Sequence, residues 1–197
     1  MRIAPALDVQ GHRGARALRP ENTLPAFEYA LAAGVTTLEL DCGITSDGVV
    51  VVCHDPVLNP DITRGRDGAW ITGPAIALHE LSYDELLRYD VGRIRPGSAY
   101  AARFPRQVGT DGVRIPRLNE VFDLAARSGR DDVSFNIETK VSPLAPGLTR
   151  DPFEFTDLLV NEIARAGITS RTTVQSFDWR TLQHVKRHHP ALSLIHI

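Results

Sequence analysis

Short apolar runs alternate with longer amphipathic segments along this chain of 197 residues, and their order predicts strands and helices in regular succession. Apolar residues recur at helical spacing in four segments, residues 23–33, 117–126, 152–166 and 179–188. Shorter apolar or alternating runs typical of strands occupy residues 6–11, 36–41, 133–140, 172–175 and 192–197. This alternation favours an α/β fold over a helical bundle or a β-sandwich.

The first predicted helix has clear signals at both ends. Asn22 and Thr23 precede it and are residue types that cap helix N-termini. Pro25 falls in the first turn and Gly34 just past the end, as is typical of helix boundaries. We therefore expect Asn22 or Thr23 to cap this helix.

The second predicted strand is followed by a turn too short for a parallel connection. Ser46-Asp47-Gly48 separates it from a run of valines, so the chain must fold back as an antiparallel hairpin. With the turn near Asp47, Asp41 lies opposite residue 53. The hairpin thus returns His54 to the level of Glu39 and Asp41.

Residues 45–115 interrupt the regular pattern. They are rich in glycine and proline and contain one clear short helix, predicted over residues 82–89. We interpret residues 45–115 as an inserted subdomain that begins with the hairpin, and residues 1–44 and 116–197 as the regular core.

Acidic residues share one face of neighbouring predicted strands. Glu39 and Asp41 alternate with leucines and are roughly 7 Å apart along their strand. Glu138 is placed by the same alternation on another strand. Three hard oxygen ligands without cysteine indicate Ca²⁺ or Mg²⁺ rather than Zn²⁺. The alternative to metal binding is that Glu39 and Asp41 lie on a solvent-exposed face of their strand, but buried parallel strands seldom have an exposed face.

Histidines and basic residues follow the same strands. His12 and His54 are able to serve as general base and general acid, and Arg13 and Lys140 supply positive charge for a bound anion. Together with a metal, these groups imply phosphoryl transfer. Considered alone, His12 is typical of an ordinary loop histidine, and Lys140 is typical of an ion-pair partner for Glu138.

The composition narrows the classes of function. The 22 basic and 24 acidic residues give a net charge of −2, which offers no general attraction to nucleic acid or anionic lipid. No apolar run is long enough to span a membrane, and we expect a cytoplasmic protein without stable membrane association. Cys42 and Cys53 are too few for a disulfide scaffold and are expected to be reduced thiols. The oligomeric state is left open.

The ordered motifs of the chain resemble those of the glycerophosphodiester phosphodiesterase family. They are Gly11-His12-Arg13-Gly14-Ala15-Arg16, Pro20-Glu21-Asn22-Thr23, Glu39-Leu40-Asp41, Asp47-Gly48, His54-Asp55-Pro56, Ile115-Pro116-Arg117-Leu118-Asn119-Glu120, Asn136-Ile137-Glu138-Thr139-Lys140 and Gln175-Ser176-Phe177-Asp178. The resemblance extends over nearly the whole chain.

The resemblance implies a TIM barrel with an insertion after the second strand and one divalent cation. It also implies hydrolysis of a small glycerophosphodiester to glycerol 3-phosphate and an alcohol. By position, His12 and His54 are the catalytic pair, and the metal ligands are Glu39, Asp41 and Glu138. The phosphate contacts are Arg13 and Lys140, and a role in orienting the site falls to Glu21 and Asn22.

A closed barrel needs eight strands and about 250 residues, whereas the pattern here gives five strands. We therefore expect an incomplete (β/α) barrel, the amino-terminal portion of a longer protein. Two alternatives remain open at this point. One is a catalytically silent fragment or phosphate-binding remnant, and the other is a related phospholipase D-like or inositol phospholipid phosphodiesterase.

Overall fold

The computed structural model describes residues 7–196, which form one parallel sheet flanked by helices. Five strands run parallel in the order β1-β2-β4-β5-β6, and β3 pairs antiparallel with β2. The strands are β1 (Gln10–His12), β2 (Thr37–Ile44), β3 (Val50–Val52), β4 (Ser134–Thr139), β5 (Thr172–Ser176) and β6 (Ser193–His196). The expected α/β fold of incomplete (β/α)-barrel type with five parallel strands is therefore confirmed.

Helices alternate with the parallel strands and cover the outer face of the sheet. They are α1 (Leu24–Ala32), α4 (Leu118–Arg127), α5 (Pro152–Arg165) and α6 (Trp179–His188), whereas the short helices α2 (Tyr83–Leu86) and α3 (Ala99–Arg103) lie within residues 45–115. Single 3₁₀ turns occur at Leu78–Glu80, Pro146–Leu148 and Thr169–Arg171. The predicted bounds of α6 agree with the structure, those of α1 and α4 differ by one residue at each end, and α5 ends one residue before its predicted end.

The two faces of the strands have opposite character, as the alternation predicted. Leu38, Leu40 and Ile137 point outward and are completely buried under the helices. The inward face is polar, because the parallel register sets Glu39 beside His12 on one side and beside Asn136 on the other. The apolar core thus lies between the sheet and the helices. The interior of the barrel is lined by polar side chains.

The hairpin has the register that the short turn predicted. Cys42 lies opposite Val52, and the amide of Cys53 donates to the carbonyl of Asp41 at 2.9 Å. Asp47 stabilises the turn, since its carboxylate accepts a hydrogen bond from the hydroxyl of Thr45 at 2.5 Å. Both cysteines are free thiols, and burial raises the pKa of Cys53 to about 12.

The bounds of the strands and of one helix differ in part from those predicted. Among the described residues the first strand begins at Gln10. The predicted start of this strand at residue 6 and the predicted end of the last strand at residue 197 lie outside the described residues. Helix α2 stops at Leu86, since the backbone of Asp90 pairs with Arg64 and leaves the helical path.

Residues 45–115, predicted to be an insertion, contain a second apolar cluster. Its buried members are Val51, Leu58, Leu78, Tyr83, Leu86, Val91 and Ile115. The segment rejoins the core beside its own beginning, because the amide of Val52 donates to the carbonyl of Pro116 at 2.9 Å. Among the described residues, no helix has both the length and the apolar character needed to cross a bilayer.

Candidate active site

Three carboxylates meet inside the barrel at the carboxyl ends of β2 and β4. Glu39, Asp41 and Glu138 each have an oxygen within 4.8 Å of the others, and all three side chains are buried. The register explains the meeting, since Asp41 and Glu138 are direct neighbours across the β2–β4 ladder. The three acids that the sequence analysis selected as metal ligands are therefore brought together.

Burial and mutual repulsion shift the pKa values within this cluster. Burial, together with the charge of Asp41, raises the pKa of Glu39 to about 7. Burial also raises the pKa of Glu138. The pKa of Asp41 is lowered in spite of its burial, because Lys140, His54 and Asn22 favour the charged form. Crowded, buried oxygen donors of this kind fit a hard divalent cation such as Ca²⁺ or Mg²⁺.

Lys140 joins two of the three acids. Its ammonium group is 2.7 Å from Glu138 Oε1 and 3.1 Å from Asp41 Oδ1. Lys140 therefore forms the ion pair with Glu138 that was the alternative to phosphate contact. It also lines a cleft of about 280 Å³ next to His54.

Arg13 is buried behind the acids in a strained backbone conformation. Its φ of 52° lies in the left-handed region, and its amide donates to Glu39 Oε2 at 2.8 Å. Its guanidinium donates to Glu21 Oε1 at 2.7 Å, and Nε is 3.3 Å from Asp41 Oδ2 without forming a hydrogen bond. Arg13 therefore holds Glu39 by a hydrogen bond and pairs with Asp41 by charge alone, and its Nε–H is a buried donor without a hydrogen-bond partner among the described residues.

Asn22 acts on the site and does not cap helix α1, so the capping role expected for it is wrong. Its side-chain amide donates to Asp41 Oδ2 at 2.9 Å. Thr23 occupies the N-cap position of α1, but no side-chain hydrogen bond caps this helix. The competing carboxylate on β2 engages Asn22 and holds it at a φ of 54°.

The two histidines border the acidic cluster. His12 Nε2 is 3.9 Å from Glu39 Oε2, and burial with the charges of Arg13 and Arg16 lowers the pKa of His12. His54 Nδ1 is 2.7 Å from Asp55 Oδ1, which fixes the orientation of its ring. His54 lies with Glu138 in the lining of one cleft, so both imidazoles are within the same neighbourhood of the acids.

Gln175 on β5 also contacts the acidic cluster. Its Nε2 donates to Glu39 Oε1 at 2.9 Å, and its Oε1 accepts from Asn136 Nδ2 at 3.2 Å. Asn136 in turn donates to Gln10 at 3.0 Å. These linked side-chain amides therefore fix the orientation of the Glu39 carboxylate.

The fold and the site together define a class: a (β/α)-barrel protein whose polar residues gather at the carboxyl ends of its strands. Residues 12–197 match the model of the glycerophosphoryl diester phosphodiesterase family. The chain belongs to this family.

Individual relatives agree with this membership. The chain is 32% identical over 187 residues to a glycerophosphodiester phosphodiesterase of Caldanaerobacter subterraneus subsp. tengcongensis, covering 94% of the chain and 64% of the relative. It is 33% identical over 186 residues to a glycerophosphodiester phosphodiesterase of Bacillus altitudinis, covering 94% and 60%. A crystal structure of a candidate glycerophosphoryl diester phosphodiesterase from Silicibacter pomeroyi superposes with a TM-score of 0.90 at 36% identity, covering 98% and 65%. The chain thus spans less than two thirds of the length of these relatives.

Proposed function

We propose that this chain carries the active site of a metal-dependent phosphodiester hydrolase, which cleaves glycerophosphodiesters to glycerol 3-phosphate and an alcohol. One observation carries the proposal: three buried acids and two histidines converge at the carboxyl ends of adjacent strands. Membership in the glycerophosphoryl diester phosphodiesterase family supports the substrate class.

The acids would hold the cation. Glu39, Asp41 and Glu138 supply one oxygen each, which suits a single Ca²⁺ or Mg²⁺ ion. When bound, the cation polarises a phosphate oxygen of the substrate. Gln175 and Asn22 hold Glu39 and Asp41 in place, so the carboxylates keep their orientation while substrate enters.

The histidines move the protons. His12, whose pKa is lowered, is neutral near pH 7 and accepts the proton of the attacking oxygen as a bond to phosphorus forms. His54 gives a proton to the alkoxide as the ester bond breaks. Asp55 holds His54 Nδ1, so that Nε2 is the atom left to face the leaving group. In one displacement at phosphorus, the proton that His12 accepts is thus matched by the proton that His54 gives.

Positive side chains would bind the phosphate. Lys140 lines the cleft beside His54, where its ammonium group is placed to contact a phosphate oxygen. Arg13 is more deeply buried and offers the single unpartnered Nε–H described above. We propose both residues as phosphate contacts and propose that residues 45–115 form a subdomain inserted at this rim of the barrel.

The proposal is tested by assaying release of glycerol 3-phosphate from glycerophosphocholine, with a coupled dehydrogenase as readout. We expect turnover that is lost on chelation and restored by Ca²⁺ or Mg²⁺. His12→Ala and His54→Ala are each expected to lower kcat by at least about a hundredfold. His188→Ala, at an exposed position on α6, is the matched control and retains activity.

Two outcomes would refute the assignment: turnover that persists in both histidine variants, or turnover indifferent to chelator. Parallel assays with lysophosphatidylcholine and phosphatidylinositol test for the two alternatives, a phospholipase D-like activity and an inositol phospholipid phosphodiesterase activity. A chain that hydrolyses none of these substrates, while binding phosphate, corresponds to the silent remnant.

A further inference from the structure

A tyrosine of the inserted segment reaches the residues that support the acidic cluster. Tyr100 lies on α3, a short helix capped by the hydroxyl of Ser98, which accepts from the amide of Ala101 at 3.0 Å. The Tyr100 hydroxyl donates to Glu21 Oε2 and accepts from Arg16 at 2.6 Å. The insertion thus contacts the core at a polar point 79 residues away in sequence.

Glu21 is the centre of this contact. Its side chain is only 4% exposed, and it accepts from three donors: Arg13 at 2.7 Å, Arg16 at 3.0 Å and Tyr100. Arg16 is held further by Phe104, whose ring centroid is 4.5 Å from the guanidinium carbon. A buried carboxylate with all its donors in place keeps a single orientation.

The path continues from Glu21 to the cation site proposed above. Arg13 donates to Glu21 through its guanidinium, approaches Asp41 with Nε, and donates to Glu39 through its backbone amide. Every step is a contact within 3.3 Å between groups that are at least nine-tenths buried. Movement of Glu21 is therefore transmitted to both carboxylates on β2.

We propose that Tyr100 is a positioning residue, which acts through Glu21 and Arg13 to hold Asp41 and Glu39 in the geometry that binds the cation. The inference rests on the proposed function, because it concerns the same cation. It assigns to the inserted segment a part in the chemistry of the barrel. Without the hydroxyl, Glu21 Oε2 keeps only Arg16 as a donor, so the carboxylate is held less firmly and Oε1 becomes a less fixed acceptor for Arg13. Burial and the charge of Glu21 raise the pKa of Tyr100 to about 12, so the hydroxyl remains a donor at neutral pH.

The test is a calorimetric titration of the chain with Ca²⁺ and with Mg²⁺, which needs no turnover. Tyr100→Phe removes only the hydroxyl and is expected to weaken cation binding about three- to tenfold, somewhat less than the loss typical of direct ligand supports. Tyr89→Phe is the matched control. Tyr89 lies in the same segment, is half-buried, and its hydroxyl forms no hydrogen bond with the described residues. Its variant should bind the cation as the wild type does.

A double-mutant cycle with Glu21→Gln separates positioning from packing. If Tyr100 acts through Glu21, Tyr100→Phe changes cation affinity little in the Glu21→Gln background. Independent, additive effects of the two substitutions would overturn the proposal, as would wild-type affinity in Tyr100→Phe or a wild-type chain that binds no cation. A wild-type chain that binds the cation but hydrolyses no glycerophosphodiester disproves the proposed function alone, and the titration still decides the role of Tyr100.

Discussion

The side-chain amide of Gln175 donates to Glu39 Oε1 at 2.9 Å, although the two residues are 136 positions apart. Glu39 is thereby held between Gln175 on one oxygen and the amide of Arg13 on the other. Both carboxylate oxygens have fixed donors, so the side chain has little rotational freedom. The orientation of this acid depends on β5 as much as on its own strand.

Replacement of Gln175 should therefore weaken the cation site without removing a ligand. We expect Gln175→Leu to lower cation affinity about tenfold, because Glu39 Oε1 loses its donor and the carboxylate reorients. Gln183→Leu, at an exposed position on α6, serves as the control. Isothermal titration with Ca²⁺ measures both variants, and equal affinities would contradict the role assigned to Gln175.

The raised pKa of Glu39 predicts a pH dependence of stability in the cation-free chain. Between 4.5, the ordinary value, and about 7, the folded chain binds more protons at Glu39 than the unfolded chain does. The contribution of Glu39 to the free energy of unfolding thus falls as pH rises through this window, by on the order of 1–3 kcal/mol. Above about 7 the full penalty of the buried charge is present.

Glu39→Gln removes this titration. Urea unfolding of both proteins at pH 5 and pH 7.5, with chelator present, is the measurement. The wild type should lose more stability between these two pH values than the variant loses. An equal change in the two proteins would show that Glu39 titrates at its ordinary value.

Asn22 has two separable contributions. Asn22→Ala removes the hydrogen bond to Asp41 and places a less tolerant residue at a φ of 54°, so we expect a loss of about 1–3 kcal/mol in the free energy of unfolding. Asn22→Gly removes the same hydrogen bond but relieves the backbone strain. The glycine variant should therefore be the more stable of the two, as measured by urea denaturation. If both lose equally, the strain term is negligible.

The apolar core between sheet and helices is sensitive to truncation at Phe135. This ring is 1% exposed and packs edge-on against Phe122 with centroids 5.0 Å apart. Phe135→Ala is expected to cost about 3–5 kcal/mol in the free energy of unfolding. Phe177→Ala, at a ring that is 61% exposed, should change it by less than about 0.5 kcal/mol. Similar losses in the two variants would contradict this account of the core.

Much of the fold could be predicted because the signals are local. The bounds of α6 follow from helical periodicity, and the register of Cys42 against Val52 follows from a turn that permits only one pairing. Alternation along β2 and β4 likewise placed Glu39, Asp41 and Glu138 on one face. Parallel neighbours then brought them together.

The residues that support the acids could not be predicted in this way. Tyr100 and Gln175 act on partners far along the chain, and no periodicity encodes such contacts. Helix α3 itself had a signal in Ser98, a good capping residue, which its glycine- and proline-rich surroundings obscured. For Asn22 the nearby helix start indicated a cap, which is wrong, whereas the family resemblance implied a role in orienting the site, and its partner Asp41 lies 19 residues on.

The two ends of residues 45–115 lie side by side, since Val51 bridges to Arg117 and the amide of Val52 contacts Pro116. The chain between these points therefore leaves the sheet and returns to it at one place. Loops within this stretch can lengthen at an entropic cost of only about 0.6 kcal/mol per doubling, while the barrel is left as it was. A foreign segment grafted between these ends would have to keep His54, and also Tyr100 and Gln107, whose side chains contact Glu21 and Arg16 of the core.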